Sequence, residues 1–189
     1  MTVDRRGLLG LLALGLLPAQ ALAQEFSRMT AYAFSFAGLN GGEVRLVDYA
    51  GKPVLVVNTA SFCGYTNQYT ALEALYERYR DRGLTVIGVP SNDFGGQEPG
   101  GAPEITATVE SFKVQFPMTE KSVVKGPSAH RFYRWAASER PKETPAWNFH
   151  KFLIGREGHI VAAFASNVAP DDPQIIAAIE RELAEPASN

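Results

Sequence analysis

Two short aliphatic runs, 54–60 and 84–89, bracket a segment in which apolar residues recur at helical spacing. Apolar runs of roughly four to eight residues without polar alternation mark strands buried on both faces. Between them, Leu72, Leu75, Tyr76 and Tyr79 fall at spacings of three, four and seven, which places them on one face of a helix over 67–79. Arg80, Arg82 and Gly83 supply its stop signal. Strand, helix, strand in this order is a βαβ unit, so the two strands are expected to be parallel neighbours.

Upstream, 31–36 and 44–49 are strand-like and are separated by the turn residues Gly38-Leu39-Asn40-Gly41-Gly42, which predicts an N-terminal hairpin. Downstream, a weaker helix is expected over 103–116 and a short one over 128–138. The segments 151–154 and 159–164 are joined by Gly155-Arg156-Glu157-Gly158 and read as a second hairpin. The last helix opens with Asp172 as N-cap and Pro173 in its first turn, and its apolar face is Ile175, Ile176, Ile179 and Leu183. The fold class is α/β, a mixed central sheet flanked by helices and preceded by a β-hairpin. In such sheets chemistry gathers at the C-terminal ends of the parallel strands. The turn after 54–60 and the Gly-rich loop 91–101 share that edge, so the topology brings Cys63 and Gln97 together.

The first 23 residues differ from the rest. Arg5 and Arg6 precede an apolar run over 7–17, followed by Pro18 and the small-residue site Ala21-Leu22-Ala23. This is the order of a secretory signal peptide cleaved after Ala23, and the run is too short to span a membrane. The expected organisation is a signal over 1–23 and one domain over 24–189, with the mature protein periplasmic or secreted. Arg5-Arg6 leaves open a twin-arginine export route. A net charge of −2 offers nothing for nucleic acid or an anionic membrane surface.

Export makes the single cysteine informative. Cys63 has no partner for an internal disulfide, so in an oxidising compartment it marks a reactive thiol. It lies in the turn between the first buried strand and its helix. Unpaired backbone N–H groups at a helix N-terminus carry partial positive charge and favour a thiolate's reactivity. The competing reading is a small buried hydrophobe. No metal site is expected, because one cysteine with His130, His150 and His159 gives no ligand spacing. No Ser-His-Asp arrangement is legible. By composition alone the loop 91–101 reads as a solvated turn. Trp147 and Asn148 offer an indole N–H and an amide able to aim at one polar atom.

Three segments together resemble the glutathione peroxidase family. They are Asn58-Thr59-Ala60-Ser61-Phe62-Cys63-Gly64-Tyr65-Thr66, Phe94-Gly95-Gly96-Gln97-Glu98-Pro99-Gly100, and Trp147-Asn148-Phe149 with Lys151-Phe152-Leu153. The resemblance runs from about Thr30 to the last helix. It implies a thioredoxin-like fold and thiol-dependent reduction of hydrogen peroxide and organic or lipid hydroperoxides. Cys63 takes the position of the active cysteine or selenocysteine, and Gln97, Trp147 and Asn148 match its partners. Their expected work is hydrogen bonding to the thiolate and to the leaving oxygen. No cofactor is implied.

The chain departs from the family pattern in three places. No resolving cysteine occurs around Ala107-Thr108-Val109, Ser91 replaces another frequent cysteine, and Phe62 replaces the usual basic residue. The Cys63 sulfenic acid must then be resolved by an external thiol, either glutathione or a thioredoxin-like protein. The long insertion of tetrameric relatives is missing, so a monomer is expected. A non-catalytic thiol sensor or binding protein of the same fold is the alternative. A general disulfide oxidoreductase is disfavoured, because Cys63-Gly64-Tyr65-Thr66 lacks a second cysteine.

Overall fold

The computed structural model describes residues 29–184. The assigned signal over 1–23 therefore lies outside the described residues. Strands β3 (Val54–Thr59) and β4 (Thr85–Pro90) are parallel, with Val56 opposite Ile87, and helix α1 (Gln68–Tyr79) crosses between them. Every residue of both strands is buried, as their unbroken apolar character requires. Strand β5 (Lys151–Ile154) runs antiparallel along the other side of β3, with Phe152 opposite Val56, and β6 (Ile160–Phe164) pairs antiparallel with β5. The sheet order is β4-β3-β5-β6, so β3 is central and flanked on both sides.

Alternate residues of β3 enter separate cores. Leu55 and Val57 pack with Leu72 and Leu75 of α1, and with Ile175 and Ile179 of the last helix, α4 (Pro173–Ala184). Val54 and Val56 pack with Phe132 and Trp135 of α3 (Arg131–Glu139). Helices thus cover both faces, as expected. Helix α4 opens as its sequence signal predicts, with the Gln174 N–H donating to Asp172 Oδ1 at 2.9 Å.

The N-terminal hairpin forms, but it is short. Strand β1 (Ser35–Ala37) pairs with β2 (Glu43–Arg45), with Phe36 opposite Val44. The flanks expected to extend it are single 3-10 turns, Ala31–Ala33 and Leu46–Tyr49. They turn because Ala31, Phe34 and Leu46 are drawn into the core. The Ala31 N–H donates to the Gly158 carbonyl and the Leu46 N–H to the Phe34 carbonyl, at 2.8 and 3.0 Å.

Helix α2 (Ala102–Ser111) stops five residues before the expected end at 116. Lys113 adopts φ +56°, and the chain reverses so that Phe116 buries against Tyr69 and Tyr76. The Glu73 carboxylate holds that reversal by accepting the Gln115 N–H at 2.8 Å. Helix α3 starts three residues after the expected 128, where His130 Nδ1 accepts the Phe132 N–H at 3.3 Å and caps it.

Candidate active site

Cys63 lies past the C-terminal end of β3, in the winding turn 60–67 that precedes α1, and is 8% exposed. Thr66 shapes this turn. Its Oγ1 accepts the Cys63 N–H at 3.0 Å and shares its own proton between the Ala60 and Cys63 carbonyls, at 2.9 and 2.8 Å. The donor that reaches the sulfur is the Tyr65 N–H, 3.4 Å from Sγ. That amide belongs to the turn rather than to the first turn of α1, which begins at Gln68. The thiol therefore meets an oriented backbone donor, but one supplied a turn ahead of the helix.

The loop 91–101 is not the solvated turn its composition suggests. Ser91, Phe94 and Glu98 are buried. The Ser91 N–H donates to the Thr59 carbonyl at 2.9 Å, and the Phe62 N–H donates to the Gln97 carbonyl at 3.0 Å. The second of these bonds ties the residue before Cys63 to Gln97. Ser61 Oγ donates to Glu98 Oε2 at 3.1 Å, and Asn92 Oδ1 accepts the Glu98 N–H at 2.8 Å. Lys121 Nζ donates to the Gly100 and Glu98 carbonyls at 2.7 and 3.2 Å. Asp93 Oδ2 accepts the N–H groups of Val124 and Lys125 at 2.6 and 3.1 Å. Burial pushes the Glu98 carboxyl up, against the opposing pull of Ser61 and Lys121.

The third segment leads into β5. Asn148 is fully buried, and its Nδ2 donates to Gln97 Oε1 at 3.0 Å and to the Phe94 carbonyl at 3.4 Å. With Oε1 engaged, the Nε2 end of the Gln97 amide is left to donate, and among the described residues it has no partner. Trp147 is 38% exposed. Its ring packs on Phe94 at 6.0 Å between centroids, and its carbonyl accepts Asn58 Nδ2 at 3.1 Å. Gly95 makes room for this ring. Its φ is +67°, and a Cβ there would stand 3.2 Å from Trp147 Cη2.

Cys63, Gln97, Trp147 and Asn148 thus sit on three segments pinned together at the C-terminal edge of β3 and β4. Gln97 and Asn148 touch directly. Cys63 joins them through the Phe62–Gln97 bond, and Trp147 through Phe94 and Gly95.

Sequence reasoning passed over two features beneath this edge. Phe149, fully buried, holds φ +64°, a backbone conformation that costs a bulky residue on the order of 1–3 kcal/mol and persists only where its surroundings impose it. Its N–H donates to the Asn58 carbonyl at 2.5 Å. Its carbonyl accepts Lys151 Nζ at 2.7 Å, and the same Nζ donates to the Val168 carbonyl at 2.7 Å. Lys151 is fully buried, and burial lowers its ammonium to about 7. A lysine at the head of the apolar run 152–154, inside a strand, is the signal that would have found this clamp. Next to it, burial and then the Lys151 charge push His150 down to about 4, so its imidazole is neutral at ordinary pH. Among the described residues, no cluster of three or more His, Cys, Asp or Glu is arranged to hold a metal ion.

The architecture is thioredoxin-like. A thiol:disulfide interchange protein of the thioredoxin family from Chlorobium tepidum superposes with a TM-score of 0.59 over 82% of this chain and 97% of that one. At 14% identity this likeness bears on the fold alone. A nearer relation is a crystal structure of Trgpx in its apo form, at TM-score 0.70 and 36% identity, covering 85% of this chain and 99% of that one. In sequence, the glutathione peroxidase family model matches residues 31–137. A hydroperoxy fatty acid reductase of Synechocystis is 45% identical, over 82% of this chain and 96% of its own length. A glutathione peroxidase of Lactococcus lactis is 42% identical, over 76% of this chain and 94% of its own. The chain belongs to the glutathione peroxidase family and is a thiol-dependent peroxidase, an oxidoreductase.

Proposed function

We propose that Cys63 is the nucleophile that meets the peroxide, with Gln97 and Trp147 as its hydrogen-bond donors and Asn148 as the group that aims Gln97. The Cys63 thiolate attacks the terminal oxygen of R–O–O–H. An S–O bond forms, the O–O bond breaks, and the departing RO⁻ takes up a proton to leave as water or an alcohol. Sulfur is oxidised by two electrons and the peroxide is reduced by two. Gln97 Nε2 and the Trp147 indole N–H stabilise the thiolate and the charge building on the leaving oxygen. None of these groups needs to act as a strong acid or base.

The chain holds one cysteine, so it has no internal thiol with which to resolve the product. An external thiol attacks the Cys63 sulfenic acid, an S–S bond forms and water leaves. A second thiol then displaces the Cys63 thiolate and carries off the disulfide. Glutathione and a thioredoxin-like protein both meet this requirement. The proposed substrates are hydrogen peroxide and organic or lipid hydroperoxides; the naming of the Synechocystis relative as a hydroperoxy fatty acid reductase supports the lipid end of that range. The signal-like residues 1–23 support a periplasmic or secreted mature protein, and the missing insertion of tetrameric relatives supports a monomer.

The observation that carries this reading is the pair of bonds Phe62 N–H to Gln97 carbonyl and Asn148 Nδ2 to Gln97 Oε1. They tie the segments that carry Gln97 and Asn148 to the residue before Cys63, which supports this reading. The test is steady-state turnover of hydrogen peroxide with glutathione, and separately with a thioredoxin system. Many turnovers per Cys63 with one of them, lost in Cys63→Ser, are expected. A single oxidation with neither reductant able to renew it would instead make the protein a sensor.

A further inference from the structure

Glu98 is shut inside the protein, yet it stands in the loop 91–101 and belongs to no strand or helix. Taking a carboxyl out of water is costly, and an apolar residue of similar size would fill the same place at less cost. Among the described residues no cation pairs with this carboxyl. The nearby Lys121 ammonium donates instead to the carbonyls of Glu98, Pro99 and Gly100, at 3.2, 3.4 and 2.7 Å. Glu98 Oε1 has no hydrogen-bond partner. What the carboxyl does make is one bond, in which the Ser61 hydroxyl donates to Oε2 at 3.1 Å. That bond has a neighbour, because the Phe62 N–H donates to the Gln97 carbonyl at 3.0 Å. Residues 61 and 62 thus meet 98 and 97 in antiparallel order, through one side-chain and one backbone bond, immediately before Cys63. The main chain of Glu98 is itself held, with Asn92 Oδ1 accepting its N–H at 2.8 Å and Lys121 donating to its carbonyl.

We infer that Glu98 is a positioning residue for peroxide reduction: through Ser61 it locks the turn that carries Cys63 against the loop that carries Gln97. The inference rests on the peroxidase reading above and adds a residue to it. Glu98 acts through Ser61 and Gln97, not on the peroxide. The backbone bond alone leaves the two segments free to pivot about it, and a second bond one residue away removes that freedom. The restriction matters because a displacement of about 1 Å between reacting groups can slow a reaction by about 100-fold. Such a lock needs an acceptor of the right length, not a charge. Burial pushes the Glu98 carboxyl up, toward a neutral form whose carbonyl oxygen can still accept from Ser61.

The test is the second-order rate of Cys63 oxidation by hydrogen peroxide, measured in variants whose circular dichroism matches the wild type. Glu98→Ala should slow it by roughly 10- to 100-fold. Glu98→Gln has the same length and keeps a carbonyl oxygen for Ser61, so it should restore the wild-type rate. Ser61→Ala, at a half-buried position, removes the other end of the bond and should slow oxidation as well, which supplies the measurement if Glu98→Ala fails to fold. Added to Gln97→Ala, Glu98→Ala should cost little more, because its effect is on the placing of Gln97; a merely structural role would multiply the two losses. Wild-type rates in Glu98→Ala and Ser61→Ala would overturn the inference. So would a Glu98→Gln rate as low as that of Glu98→Ala, or losses that multiply in the double variant. Wild-type protein oxidised no faster than its unfolded chain would instead strike the peroxidase reading itself.

Discussion

Asn148 Nδ2 stands 3.0 Å from Gln97 Oε1, a side-chain hydrogen bond between residues 51 apart in sequence. Its consequence is directional. The Asn148 amide N–H groups are spent on Gln97 and on the Phe94 carbonyl, so in the proposed mechanism Asn148 acts on the peroxide through Gln97. Gln97→Ala should slow Cys63 oxidation by roughly 10- to 1000-fold, the usual loss for one preorganised donor. Asn148→Ala should slow it too, and the double variant should be little worse than Gln97→Ala alone, because residues in one network do not act additively. Stopped-flow oxidation rates for the three variants close this cycle. Fully additive losses would assign Asn148 a separate contact with the peroxide.

Gly95 sets the height of the Trp147 ring. Alanine there must adopt φ +67° and bring a Cβ to 3.2 Å from Trp147 Cη2. Gly95→Ala should destabilise the protein by about 1–2 kcal/mol, the cost of a left-handed residue with a side chain. It should also slow oxidation by displacing the indole. Urea unfolding and the peroxide rate measure the two effects. A slowed rate without loss of stability would mean that the ring moves freely, contrary to its packing on Phe94.

His150 gives stability a predictable dependence on pH. Its folded-state pKa is lowered from 6.5 to about 4, by burial first and the Lys151 charge second. Between those values the unfolded chain takes up a proton that the folded protein refuses, so stability falls as pH drops from about 6.5 to about 4. Below about 4 both states are protonated and this contribution stops changing. His130, lowered by burial, adds in the same direction. Thermal midpoints across this window should fall less steeply in His150→Gln. An unchanged slope would show that His150 titrates normally in the folded protein.

With no second cysteine, oxidised Cys63 has no internal exit. One equivalent of peroxide in the absence of thiol should add a single oxygen to the protein mass and form no disulfide within the chain. Glutathione should then convert that species to a mixed disulfide before releasing free thiol. Intact-protein mass spectrometry follows each species. A covalent dimer as the main product would mean that Cys63 is resolved by a second copy.

The central strands were legible because their signals are local. Val54 to Val57 and Val86 to Val89 are apolar on both faces, and Leu72, Leu75 and Tyr79 repeat at helical spacing, so pattern alone identified the βαβ unit and the edge where Cys63 lies. Other features depend on contacts between distant residues. Phe116 burying against Tyr69 and Tyr76 ends α2 early, and nothing in 103–116 announces it. The loop holding Gln97 has the composition of an exposed turn, yet Ser61, Lys121 and the amides of Val124 and Lys125 anchor it from elsewhere in the chain. The positions of Gln97, Trp147 and Asn148 at one edge followed from topology and family resemblance. The Lys151 clamp and the left-handed Phe149 beneath them did not, because an isolated lysine in a strand gives no indication of which carbonyls it will reach.

The central claim is that the folded site makes Cys63 a fast peroxide nucleophile. The direct measurement is the second-order rate of Cys63 oxidation by hydrogen peroxide, followed by stopped-flow tryptophan fluorescence and compared with the same thiol in the unfolded chain. A rate in the folded protein orders of magnitude above the unfolded control, and absent in Cys63→Ser, is the predicted result. Equal rates in the folded and unfolded states would contradict the account.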